Sequence, residues 1–144
     1  MIAKDVRDGV VTDFNAAGVG FFGVAFTASP KWFDRTEQTA EGLFVNVIPD
    51  AQRKERLTRD RQRVEVDLIV HVVKKLSGDD VAEVDALAEL LERVERFYFE
   101  TARVSTIAAT LQSSSLQLPT RKQLNASRRF YGWARLTFVL VNAN

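Results

Sequence analysis

From Arg63 to Leu76 the chain reads RVEVDLIVHVVKKL, and this stretch decides the fold. Val64, Val66, Leu68, Val70 and Val72 fall at every second position, the period of a strand that buries one face. Glu65, Asp67 and His71 fall on the other face, together with Ile69 and Val73. An apolar face backed by a mixed one predicts an antiparallel sheet packed on its core and partly solvated outside.

The neighbouring segments extend this sheet. Leu43–Ile48 reads as a strand closed by Pro49-Asp50, and Phe21–Thr27 as another, ended by the Ser29-Pro30 turn. Trp32 and Phe33 sit in the connection that runs to Gly42. After Leu76, Ser77-Gly78-Asp79-Asp80 opens a helix, with Ser77 as cap and Asp80 three residues on. Val81, Val84, Leu87, Ala88, Leu91, Val94 and Tyr98 form its buried stripe. At the N-terminus Ile2, Val6, Val10 and Phe14 recur at helical spacing. Gly9 weakens that helix, and Gly18 and Gly20 end it. Thr101–Gln117 predicts a short strand or an irregular connection, Leu118-Pro119 a polar turn. Phe130–Val141 is a long final strand, apolar on both faces towards its end and so interior to the sheet. The expected fold is α+β: a mainly antiparallel or mixed sheet with helices on one face, in a single domain over residues 1–144.

Composition narrows the function classes. The chain has 46% hydrophobic and 27% charged residues, the balance of a globular domain. A net charge of +1 argues against a surface made throughout for nucleic acid. The absence of cysteine removes disulfides, thiolate metal sites and thiol nucleophiles. Residues 1–13 carry five charges and no apolar core of signal-peptide length. No apolar run is long enough to span a membrane.

No set of residues calls for catalysis, a cofactor or a metal, and the chain reads as a non-enzyme. His71 is the sole histidine, and no G-x-S-x-G elbow supplies a nucleophile for it. Gly18, Gly20 and Gly23 follow a helix and precede a strand, the reverse of a dinucleotide fingerprint. Glu65 and Asp67 share a strand face, where paired carboxylates can hold a metal or a proton. With no third ligand at compatible spacing, a solvated face or a subunit contact is the plainer reading.

Residues 51–63 hold Arg53, Lys54, Arg56, Arg59, Arg61 and Arg63 against Glu55 and Asp60, with Leu57 as the one large apolar side chain. This segment reads as an exposed basic loop. It is open to three roles: a solvated loop, a subunit contact, or a non-specific contact with DNA phosphates. Arg53, Lys54, Arg56, Arg59, Arg61, Glu65 and Asp67 are the candidate contact residues.

The run Phe44-Val45-Asn46-Val47-Ile48-Pro49, the charged Glu55-Arg56-Leu57-Thr58-Arg59, then Val66-Asp67-Leu68-Ile69-Val70 and Lys74-Lys75-Leu76 resembles small virion proteins of long-tailed phages. The helix over residues 79–100 and the long C-terminal strand fit the same pattern. The chain resembles a tail-terminator or tail-completion protein of a phage or prophage. That resemblance implies a ring of about six subunits that caps the tail tube and receives the head connector. It also implies a place in the virion neck after assembly in the host cytoplasm. Another head–tail connector or a tail-tube protein is the neighbouring reading, and a small DNA-binding module the more distant one.

Overall fold

The computed structural model describes residues 2–31, 42–78, 81–101 and 103–143. In chain order the elements are α1 (Ile2–Phe22), β1 (Ala28–Ser29), β2 (Leu43–Arg56), β3 (Arg61–Lys75), α2 (Val81–Thr101), β4 (Thr110–Gln117), α3 (Arg121–Ser127) and β5 (Arg129–Ala143). The strands form one sheet in the order β1-β2-β3-β5-β4. Among the described strands only the β1–β2 pair is parallel. The result is a single α+β domain with a mixed sheet, as its alternation predicts.

The valines and leucine of β3 at 64, 66, 68, 70 and 72 face the helices and are almost wholly buried. They meet Val45 and Val47 of β2, and Phe130, Ala134, Leu136 and Phe138 of β5. α1 covers this face with Ala3, Val6, Val10 and Phe14; α2 covers it with Leu87, Leu90, Leu91, Val94 and Tyr98. Val81, expected in the α2 stripe, is 70% exposed at the start of the helix, before the helix reaches the sheet. β5 lies inside the sheet between β3 and β4.

Aromatic edges lock the two helices together. Phe97 packs against Phe14 and Phe21 at 5.1 and 5.0 Å between ring centres, and stacks on Phe22. This contact corrects the expected strand over residues 21–27. Phe21 and Phe22 complete α1, and only Ala28 and Ser29 pair with β2. Gly18 does interrupt α1, at φ 56°, but the chain resumes its helix for one more turn. The side chain of Asn15 then fixes β1, donating to Ala28 O and accepting from Ala28 N–H.

Gly9 lies where the connection after α2 crosses α1. A Cβ there would fall on Thr106 Oγ1 and within 2.5 Å of Val104 Cγ1. The glycine that weakens the helix is thus required by close approach. Below it, Asp13 accepts from the Tyr98 hydroxyl at 2.7 Å and from Ser105, tying both helices to the connection. Burial, with this bond to Asp13, holds the Tyr98 phenol protonated well above its ordinary range.

Three further expectations change. Pro49-Asp50 does not close β2: the strand continues through an irregularity between Pro49 and Ala51. β1 pairs only at Val45 and Asn46, so Pro49 sits where β2 is an edge strand, and proline is tolerated there. The polar turn after Pro119 contains α3, capped by a box in which Thr120 and Gln123 satisfy each other's backbone N–H. Ser77 donates to Glu83, whose carboxylate also meets Lys74 at 3.4 Å. The expected Asp79-Asp80 part of that cap, and Trp32 and Phe33, lie outside the described residues.

Candidate assembly surface

The basic segment 51–63 is not a loop. Ala51–Arg56 of β2 pairs residue by residue with Gln62–Asp67 of β3, and only Leu57–Asp60 turns the chain. The N–H groups of Leu57 and Thr58 close that turn on Arg61 O. β5 flanks the hairpin on its other side, from Phe138 opposite Val66 to Ala143 opposite Arg61. The segment is therefore a paired β-arm that continues the sheet. Its charges remain exposed, as the sequence leads one to expect, because most of the arm lies past the helices.

The arm is stiffened on the sheet face turned away from the helices. The irregularity at Pro49/Ala51 places Arg53 opposite Glu65. Its guanidinium donates to Glu65 at 2.9 Å and grips both oxygens of Asp67 at 2.9 and 3.0 Å. Arg63 holds the other oxygen of Glu65 at 3.0 Å and reaches Gln112 of β4. Thr137 donates to Asp67 at 2.8 Å, and Arg135 bridges Asp67 to Asp50. The hydrogen bonds from Arg53 hold the Asp67 carboxyl below the usual carboxylate range, with Thr137 and the charge of Arg135 adding to them. The same guanidinium is the main cause of the depressed Glu65 carboxyl.

This arrangement decides the role of the paired carboxylates. Glu65 and Asp67 share a face, but their oxygens are taken by arginines and a threonine. Among the described residues no group of three His, Cys, Asp or Glu side chains is placed to hold a metal. His71 lies four residues along β3 from Asp67, roughly 13 Å away at strand rise. Its Nδ1 instead meets the Tyr131 hydroxyl at 2.8 Å, and burial pushes its imidazole pKa down.

Away from the arm the same face becomes apolar. Phe44, Val73 and Tyr131 form one cross-strand row, Asn46, His71 and Trp133 the next, and Ile48, Ile69 and Arg135 a third. Arg135 also lies over the Trp133 ring, 6.0 Å from its centre. Among the described residues, no helix packs on this face. Ile48, Ile69, Val73, Asn46 and His71 are buried on this face, while Tyr131 stays 46% exposed.

No family model and no curated protein matches this chain. The surface must therefore be read from its own chemistry. Of the candidate residues, Arg53, Glu65 and Asp67 converge in one network. Lys54, Arg56, Arg59 and Arg61 sit on the arm outside it, with Arg56 Nε donating to Thr58 O. Asp50, Gln112, Arg135 and Thr137 complete the network and were not singled out from the sequence. Their only signal is cross-strand register, which needs the pairing to be known.

Proposed function

We propose that the protein is a structural, non-enzymatic component of a long-tailed phage or prophage, a tail terminator that caps the tail tube as a ring and joins it to the head connector. The carrying observation is the sheet face turned away from the helices, which continues into a stiff charged arm. Tyr131 stands 46% exposed on that face, an aromatic side chain of the kind enriched where proteins meet. An arm held by paired strands and a charge network loses little freedom on docking, which favours assembly. The segments that resemble tail-completion proteins are the same ones that build this feature: Phe44–Pro49 in β2, Glu55–Arg59 at the arm tip, and Val66–Val70 with Lys74–Leu76 in and just after β3. The arginine–carboxylate network gives Glu65 and Asp67 a structural role and needs no reaction.

Light scattering across a wide concentration range, with electron microscopy of the same fractions, tests this reading. Closed rings of about six subunits are the expected product. Filaments without closure, or a species that stays monomeric and binds no tail tube, would overturn it.

A further inference from the structure

We propose that the cleft between α3 and the start of β5 binds a carboxylate that carries an aromatic or branched apolar body, with the guanidinium of Arg129 as the anion's partner. The proposal does not depend on self-assembly and holds whether or not the chain forms rings.

The cleft follows from the way the chain enters β5. Arg128 ends α3 in the left-handed region, at φ 55° and ψ 30°, and its carbonyl accepts from the Leu76 N–H just after β3. Arg129 is then the first residue of β5. Strand alternation puts Arg129, Tyr131 and Trp133 on one face, the one turned away from α1 and α2. Gln117, the last residue of β4, stands opposite Trp133. Leu118 and Pro119 lead on into α3, where Gln123, Ala126 and Ser127 share one side of the helix. α3 therefore borders the end of this sheet face without covering it. Together these side chains wall a cleft of about 410 Å³, within the range of about 300–1,000 Å³ usual for small-ligand sites.

One atom in the wall points to a ligand. Arg129 Nη1 is buried and has no hydrogen-bond partner, and among the described residues it is the only buried side-chain nitrogen or oxygen so left. A guanidinium keeps its charge at any ordinary pH, and a cationic donor shielded from water without an acceptor is costly. Elsewhere this chain meets that need itself: Arg53, although 52% exposed, holds both Glu65 and Asp67. Around Arg129 it does not. No Asp or Glu is among the described residues that line the cleft, and the cross-strand neighbour of Arg129 is another cation, Lys75. The local field favours an anion that the walls do not supply. Because the charge is spread over the guanidinium, an anion on its cleft side offsets the cost although Nη1 itself is walled off.

The remaining walls describe the rest of the ligand. Arg129 is the only charged side chain among the described lining residues, which suits a monoanion with the forked geometry of a carboxylate. Leu118, Pro119, Ala126 and the ring of Trp133 offer apolar contact. The ring of Tyr131 adds to it, with its hydroxyl bound to His71. A free organic acid and the C-terminal aromatic residue of a partner chain share this chemistry.

Nuclear magnetic resonance of ¹⁵N-labelled protein tests the site through the Trp133 indole N–H signal, assigned with Trp133→Phe. Phenylacetate stands for the free acid and N-acetylphenylalanine for the chain end; the matching amides lack the charge. At least one acid should shift the signal saturably, and its amide should bind at least roughly tenfold more weakly. Tighter binding of N-acetylphenylalanine than of phenylacetate assigns the site to a chain end, and the reverse order to a free acid. Arg129→Met keeps the apolar stem and should lose the same factor, whereas Lys122→Met, on α3 outside the cleft, should bind as wild type does. In urea, Arg129→Met should unfold at a midpoint no lower than wild type, since it removes an unpaired buried donor. The proposal is overturned by no saturable shift with either acid, by acids and amides binding alike, or by Arg129→Met binding as wild type does. An equal loss in Lys122→Met, or a marked fall in the Arg129→Met midpoint, would overturn it as well.

Discussion

Asp67 is the centre of the network that stiffens the arm, and its removal has a calculable cost. Asp67→Ala takes the acceptor from the Thr137 hydroxyl, which is 8% exposed, and releases Arg53 and Arg135. The two arginine side chains are about half exposed, at 52% and 41%, so they return to water and their share is small. The orphaned threonine dominates, and the expected loss is about 2 kcal/mol. Asp67→Asn keeps an acceptor for Thr137 and should cost less. The sign of the pH dependence follows from the depressed Asp67 carboxyl. The unfolded chain takes up the proton first, so the stabilisation is full above the ordinary carboxylate value of about 4 and fades as pH falls through the lower folded value. Urea unfolding followed by tryptophan fluorescence measures both effects. Arg56→Ser, at the tip and outside the network, should leave the midpoint unchanged. Refutation would be an Asp67→Ala protein as stable as wild type at pH 7, or a gap between wild type and Asp67→Asn that persists in strong acid.

Gly9→Ala gains about 1 kcal/mol in helix propensity but forces Val104 and Thr106 away, a strain of about 1–3 kcal/mol. Its denaturation midpoint should fall, whereas Gly20→Ala, with open space around it, should raise it. Burial lowers the His71 pKa, so the unfolded chain again binds the proton first, and stability falls as pH drops through the ordinary histidine value of about 6.5. His71→Gln should flatten the stability profile between about pH 7 and 5; an unchanged slope would assign that titration elsewhere.

What the sequence revealed, and what it hid, follows from burial. β3 and α2 show their periods because each turns one face to a dry core, and Val64–Val72 and Leu87–Tyr98 could be read directly. The arm hid because both faces of residues 54–63 meet water. No apolar alternation marks a strand there, and the charges that hold it, Arg53 with Asp67 and Glu65, are cross-strand partners twelve or fourteen residues apart. Phe21 and Phe22 looked like strand residues by propensity; the ring cluster around Phe97, seventy-five or more residues away, makes them the end of a helix. Only α3 was legible and overlooked, since Thr120 and Gln123 stand at the spacing of a capping box. Of the candidate site, Arg53, Glu65 and Asp67 were visible as charges, but not as one another's partners.

The central claim is that this chain closes the end of a tail tube. Adding the purified protein to unfinished tail tubes and imaging them by electron microscopy tests it most directly. The account predicts a ring of about six copies at one end of each tube and none along its length. Tubes with bare ends at saturating protein, or decoration along their sides, would contradict it.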